Sequence, residues 1–221
     1  MRLLLIRHGQ TPANVRGELD TAAPGPGLTT LGHAQAAAIP AALADEQIDA
    51  IYVSSLVRTH LTAAPLAAAR GLTPIELAGT HEVDAGDHEM ATTHEAYRVY
   101  LETCMAWGMG DRDKVMPGGF DGHEFFTRFD ASIAEAASVD AAVVFSHGAA
   151  MRVWVAGSAT NLDELAPSMR ELDNTALVEL EGSPAEGWRL ISWGTDPLGG
   201  ALLDDETAED PTGEGIEEAL A

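Results

Sequence analysis

Apolar residues follow two rhythms along the chain. Short compact runs occur at Leu3–Ile6, at Ile51–Val53 within a strand reaching back to Ile48, and at Ala141–Phe145. An apolar run without polar alternation predicts a strand covered on both faces. Between these runs, apolar positions recur at helical spacing. The pattern predicts a helix from Thr29 or Thr30 toward Ala44, one capped by Ser54 or Ser55 and stopped at Arg70-Gly71, and others over His94–Trp107, Gly122–Ala137 and Gly148–Val155. Pro40 is expected to kink or break the first of these, and Pro65 is an irregularity inside the second. A third strand is expected over Thr73–Leu77, with two closing strands at Thr175–Leu180 and Trp188–Trp193 around a Ser183-Pro184 turn. Strands alternating with helices predict an α/β fold: a three-layer sandwich whose mostly parallel sheet carries helices on both faces.

The strand ends carry the chemistry. Leu3–Ile6 stops at Arg7-His8-Gly9, the second run leads across Ser54-Ser55 to Arg58, and the third ends at Ser146-His147-Gly148. In open α/β sheets ligands gather at the carboxyl ends of the strands. A cation, an imidazole and a glycine there point to an anion site, glycine letting the backbone come close. His8 hydrogen-bonding the strand end, with Arg7 facing water, is the plain alternative; the three-fold repetition argues against it.

Taken together, Arg7-His8-Gly9 with Asn14, Ser54-Ser55-x-x-Arg58-Thr59 and Ser146-His147-Gly148 resemble the histidine phosphatase superfamily, in its phosphoglycerate-mutase-like branch. The likeness runs from residue 1 to about 193. It implies a metal-independent phosphatase, without cofactor, that hydrolyses a small phosphomonoester through a phosphohistidine on His8. Arg7, Arg58 and His147 would steady the phosphoryl charge, Asn14 would line the pocket, and Gln10, Thr11 and Gly148 join as substrate-binding candidates. For attack, one ring nitrogen of His8 must be unprotonated, and neighbouring arginines favour the neutral imidazole. The leaving alkoxide needs a proton. Glu82 is the expected acid, since Glu82, Gly86 and Glu89 fall on the family's Glu-x-x-x-Gly-x-x-Glu pattern, with Asp84 as fallback. Met90 and Phe120-Asp121 depart from the family pattern, on the substrate side of the pocket. Two other readings stay open: phosphoglycerate-mutase-type transfer, for which only Arg98, Arg112, Lys114 and Arg128 could grip a second anion, and a non-catalytic phospho-ligand binder.

Length and charge narrow the setting. The 221 residues suit one domain, expected over 1–200, followed by an acidic, disordered tail over 201–221 whose acids could also close over the basic pocket. That tail holds eight of the 35 acids and no Lys or Arg; the rest still carries 27 acids against 12 bases. Such a surface repels nucleic acid and anionic membrane and slows any phosphorylated substrate, so a local basic pocket must overcome it; the small phosphorylated metabolite expected as partner is what the resemblance implies, with a homodimer open. Cys104 is the single cysteine, and the four apolar residues before Arg7 are too few for a signal peptide, so a cytoplasmic setting is expected. His81, His88 and His94 among acids match no established metal-ligand spacing.

Overall fold

The computed structural model describes residues 1–162, 170–205 and 207–213. Six strands form one sheet: β1 (Arg2–Arg7), β2 (Ala50–Val53), β3 (Ile75–Glu76), β4 (Ala141–Ser146), β5 (Leu177–Ser183) and β6 (Gly187–Trp193), in the order β3-β2-β4-β1-β5-β6. The pairs β3–β2, β2–β4 and β4–β1 are parallel, and β5 runs antiparallel to both β1 and β6. The described helices are α1 (Pro12–Val15), α2 (Thr30–Ala42), α3 (Val57–Arg70), α4 (His94–Gly108), α5 (Gly122–Ala136) and α6 (Gly148–Ser158).

The apolar runs behave as a doubly covered sheet requires. On β1, Leu3 and Leu5 enter one core, with Tyr97, Phe129 and Trp154 of the α4, α5 and α6 layer. Leu4 and Ile6 enter the other, with Ile39, Ala63 and Leu66 of α2 and α3. On β4, Ala142 and Val144 split from Val143 and Phe145 in the same way. Alternation that is invisible in polarity is thus present in geometry, because both faces are dry.

Several boundaries depart from expectation. The third strand shrinks to Ile75–Glu76, both exposed at the sheet edge, where little burial rewards extension. Pro40 does not break α2; it lies in the last turn, so the helix forgoes one i→i−4 bond only two residues before it ends. Helix α3 continues through Pro65 to its left-handed stop at Gly71. Its N-cap is Leu56, not Ser54 or Ser55, because the Ser54 hydroxyl is engaged in the site. Thr175 takes φ 64° and stays outside β5, and the hairpin turn spans Ser183–Gly187. Helix α1 had no sequence forecast. It rests on a reciprocal cap in which the Thr11 hydroxyl accepts from the Asn14 N–H while the Asn14 side chain accepts from the Thr11 N–H. Of the expected tail, 214–221 lie outside the described residues, whereas Asp210–Gly213 are buried against the body.

Candidate active site

Strands β1, β4 and β2 are neighbours and parallel, so their carboxyl ends share one edge. Register pairs Arg7 with Ser146 and Val53 with Phe145. The residues that follow, His8, His147 and Ser54, therefore leave the sheet side by side. The rings of His8 and His147 lie 5.2 Å apart, centroid to centroid. Behind His8 the backbone turns hard against α2: a Cβ on Gly9 would sit 2.8 Å from the Gly32 carbonyl oxygen, so only glycine fits. The Gly9 N–H donates to Thr62 Oγ1 at 2.9 Å, pinning the turn to α3.

Hydrogen bonds settle both imidazole tautomers. His8 Nδ1 lies 2.8 Å from the Gly9 carbonyl, which can only accept, so the proton is on Nδ1 and Nε2 keeps its lone pair. At His147, Arg58 Nε donates to Nδ1 at 3.2 Å, so Nε2 carries the proton and donates to Ser54 Oγ at 2.7 Å. Both rings are held well below the ordinary histidine range, by burial first and then by the Arg58 cation. Burial also lowers Arg58, whose ordinary value is so high that it stays charged. Its Nη2 donates to the Asp20 carbonyl at 3.0 Å, which fixes the guanidinium.

Arg7 is fully buried, with Nη1 on the Leu172 carbonyl at 2.8 Å and Nη2 on Asp210 at 2.5 Å and Thr212 Oγ1 at 3.0 Å. Its Nε finds no acceptor among the described residues, and a buried guanidinium N–H without one marks where an anion's oxygen belongs. Gly148 opens α6 beside it; a Cβ there would lie 3.1 Å from Arg7 Nε. Glu82 is buried against the start of α6, accepting from the N–H groups of Ala150 at 2.7 Å and Ala149 at 3.2 Å, as a helix N-terminus favours.

Of the expected residues, His8, Thr11, Asn14, Arg58 and Glu82 line one small cavity, together with Asp20 and Thr212, which the sequence did not single out. Arg7, His147 and Gly148 stand behind its wall: Arg7 and Gly148 meet Thr212, and His147 accepts from Arg58. Gln10 turns the other way, donating to Asp205 at 2.9 Å and accepting from Thr29, so it faces a separate acidic cavity. Asp84 also lies outside: it caps the Gly86 N–H at 2.8 Å and lines a neighbouring cavity of about 310 Å³ with Thr21, Ser55 and His81. Among the described residues no three His, Cys, Asp or Glu side chains converge as a metal would require.

From the sequence, Arg128 is only a possible grip for a second anion. In the structure it clamps the segment that carries Glu82. Its Nη1 donates to the carbonyls of Gly79 and His81 at 2.5 and 2.8 Å, its Nη2 to that of Glu82 at 2.8 Å, and the guanidinium lies over the Phe125 ring. No local motif announces such a clamp, because its acceptors are backbone carbonyls 46 to 49 residues away. Arg128→Leu should lower kcat about tenfold with KM nearly unchanged, since misplacing a catalytic group by an ångström costs up to ~10²-fold. Lysine should recover only part, lacking the planar fork. Steady-state kinetics decide; a loss confined to KM rejects the role.

The sequence pattern of the histidine phosphatase superfamily (branch 1) matches residues 3–196. The chain is 31% identical over 160 residues to the adenosylcobalamin/alpha-ribazole phosphatase of Escherichia coli, covering 71% of this chain and 78% of that one. It is 37% identical over 217 residues to the PE-PGRS family protein PE_PGRS11 of Mycobacterium tuberculosis, covering 90% of this chain and 37% of that protein's length. The Salmonella typhimurium adenosylcobalamin/alpha-ribazole phosphatase is 34% identical over 132 residues, with 58% of this chain and 62% of the relative covered. The chain thus spans between about a third and two thirds of the length of these last two relatives. Among solved structures, a mycobacterial glucosyl-3-phosphoglycerate phosphatase superposes with a TM-score of 0.71 at 25% identity, covering 88% of this chain and 99% of that one. The alpha-ribazole phosphatase of Shigella flexneri gives 0.69 at 26%, covering 90% and 98%.

Proposed function

The chain belongs to branch 1 of the histidine phosphatase superfamily, and on that premise we propose that it is a phosphoric monoester hydrolase acting through a phosphohistidine on His8. The observation that carries this reading is the His8 ring, buried and neutral, with its proton on Nδ1 and its Nε2 lone pair free among two guanidinium groups. Nε2 attacks phosphorus and the bond to the ester oxygen breaks. Glu82, protonated on Oε2, whose N–H contact from Ala149 at 3.2 Å is the longer of its two to α6, gives that proton to the departing alkoxide. The resulting carboxylate then takes a proton from water as that water attacks the phosphohistidine, releasing phosphate and restoring His8. Arg7 and Arg58 balance the phosphoryl charge throughout, work that fixed cations perform without a metal.

The surroundings of the leaving group favour hydrolysis of an ester whose alcohol carries no second anion. A mutase needs such a grip, and three of the four candidate cations, all but Lys114, are engaged elsewhere. Arg98 pairs with Glu95 and Glu102 at the surface, Arg112 lies over the Phe126 ring, and Arg128 holds carbonyls. Asp84 instead lines the adjacent cavity. A panel of phosphomonoesters should therefore release phosphate with kcat/KM at least about tenfold higher for neutral or cationic alcohols than for 3-phosphoglycerate, the size of a single unfavourable charge contact. Chelator should leave the rates unchanged. Transfer of phosphate between phosphoglycerates outpacing its release would favour the mutase instead.

A further inference from the structure

We infer that residues 207–213 are a built-in competitor for the phosphoryl seat, with the Asp210 carboxylate standing where a substrate's phosphate oxygens belong; the inference rests on the hydrolase reading for the identity of the displaced anion. Asp210 Oδ2 accepts from Arg7 Nη2 at 2.5 Å and Oδ1 from Asn14 Nδ2 at 3.1 Å, so one carboxylate bridges the buried guanidinium and an amide that lines the His8 cavity. Thr212 Oγ1 lies 3.0 Å from the same Arg7 nitrogen. The Gly213 carbonyl accepts from Arg152 and from the Leu172 N–H at 2.8 Å, closing the segment over the site. A Cβ on Gly213 would fall 2.2 Å from Arg7 Nη1, so the chain presses directly on the guanidinium.

Volume decides what this contact means. With Thr212 in its wall, the cavity lined by His8, Arg58 and Glu82 holds about 10 Å³. That is roughly the room one water molecule needs on this measure, and a phosphoryl group is several times larger. A phosphoryl group held by Arg7 and Asn14 therefore competes with Asp210 and Thr212 for the same donors. The hold is polar: Asp204, Asp205 and Asp210 share a cavity of about 450 Å³ with Glu171, Asp173 and Asp196. Their crowding works against the closed arrangement, and the Asp173 carboxyl is pushed up to about 6 by burial and by Asp204. A binding-competent form populated to about one part in ten weakens the apparent affinity for an anion about tenfold.

The test is direct binding of inorganic phosphate by calorimetry to the full chain and to Asp210→Ala, which does not depend on turnover. The variant should bind phosphate about tenfold more tightly. Unchanged or weaker binding overturns the inference, since Asp210 would then be a support for Arg7, and leaves the hydrolase reading standing. Failure of both proteins to bind phosphate sinks both readings. A second measurement needs no variant: saturating phosphate should speed hydrogen exchange at the Leu172 amide of the full chain, which loses its Gly213 acceptor when the segment lifts. Unchanged protection there, with phosphate bound, also overturns the proposal.

Discussion

His8→Ala is expected to lower turnover by about five orders of magnitude or more, the scale on which enzymes lose activity when a covalent nucleophile is removed. The variant should also leave no acid-labile radioactivity on the protein after rapid quenching with labelled substrate. Normal turnover, or a phosphoenzyme formed without this ring, would end the proposed mechanism. The same imidazole predicts an unusual acid side to the pH profile. A free histidine protonates as pH falls through about 6.5. His8 is held well below that range by burial and by Arg58 and Arg7, so kcat/KM should stay flat through pH 6 and fall only at lower pH. Stability follows the same sign. The unfolded chain takes up protons that His8 and His147 refuse, so stability is full above about pH 6.5 and is lost as pH falls toward the folded values. Thermal unfolding of His8→Ala should therefore change less between pH 7 and 5 than that of the parent.

Glu82→Gln is expected to cost between about 10² and 10⁴ in kcat for esters of ordinary alcohols, the usual share of a general acid. Glutamine keeps the length and can still accept from the Ala150 N–H, the shorter of the two bonds to α6. What it lacks is the proton. For p-nitrophenyl phosphate, whose leaving group departs as a stable anion, the loss should be far smaller. An equal loss for both substrates would point to a disturbed pocket. Asp84→Asn is the companion variant: its carboxylate caps Gly86 outside the His8 cavity, so it should lose much less than Glu82→Gln on the same ester.

Much of the scaffold and the reactive edge could be read before folding. Leu3–Ile6 and Ala141–Phe145 are runs that only a doubly covered strand explains, and a strand must end in the direction it runs. Adjacent parallel pairing then carries Arg7-His8 and Ser146-His147 to one edge whatever the loops do. Short strands with little burial were less legible, as Ile75–Glu76 shows, because edge pairing leaves no hydrophobic signature. Ser54 reads as a cap in the sequence yet meets His147 in the structure, because a hydroxyl before a helix serves equally well as a partner for a ring 93 residues away.

Which chemical groups stand at the ends of the central strands is legible in the linear order, since apolar periodicity and strand direction are local properties. How those groups face each other is settled in three dimensions: Gln10 turns from the pocket toward Asp205, Arg128 grips the backbone carrying Glu82, and Asp210 reaches Arg7 across 203 residues. Such contacts join a side chain to a partner at no fixed spacing. Their energy depends on distance and burial in space, and neither quantity is written in the order of the residues.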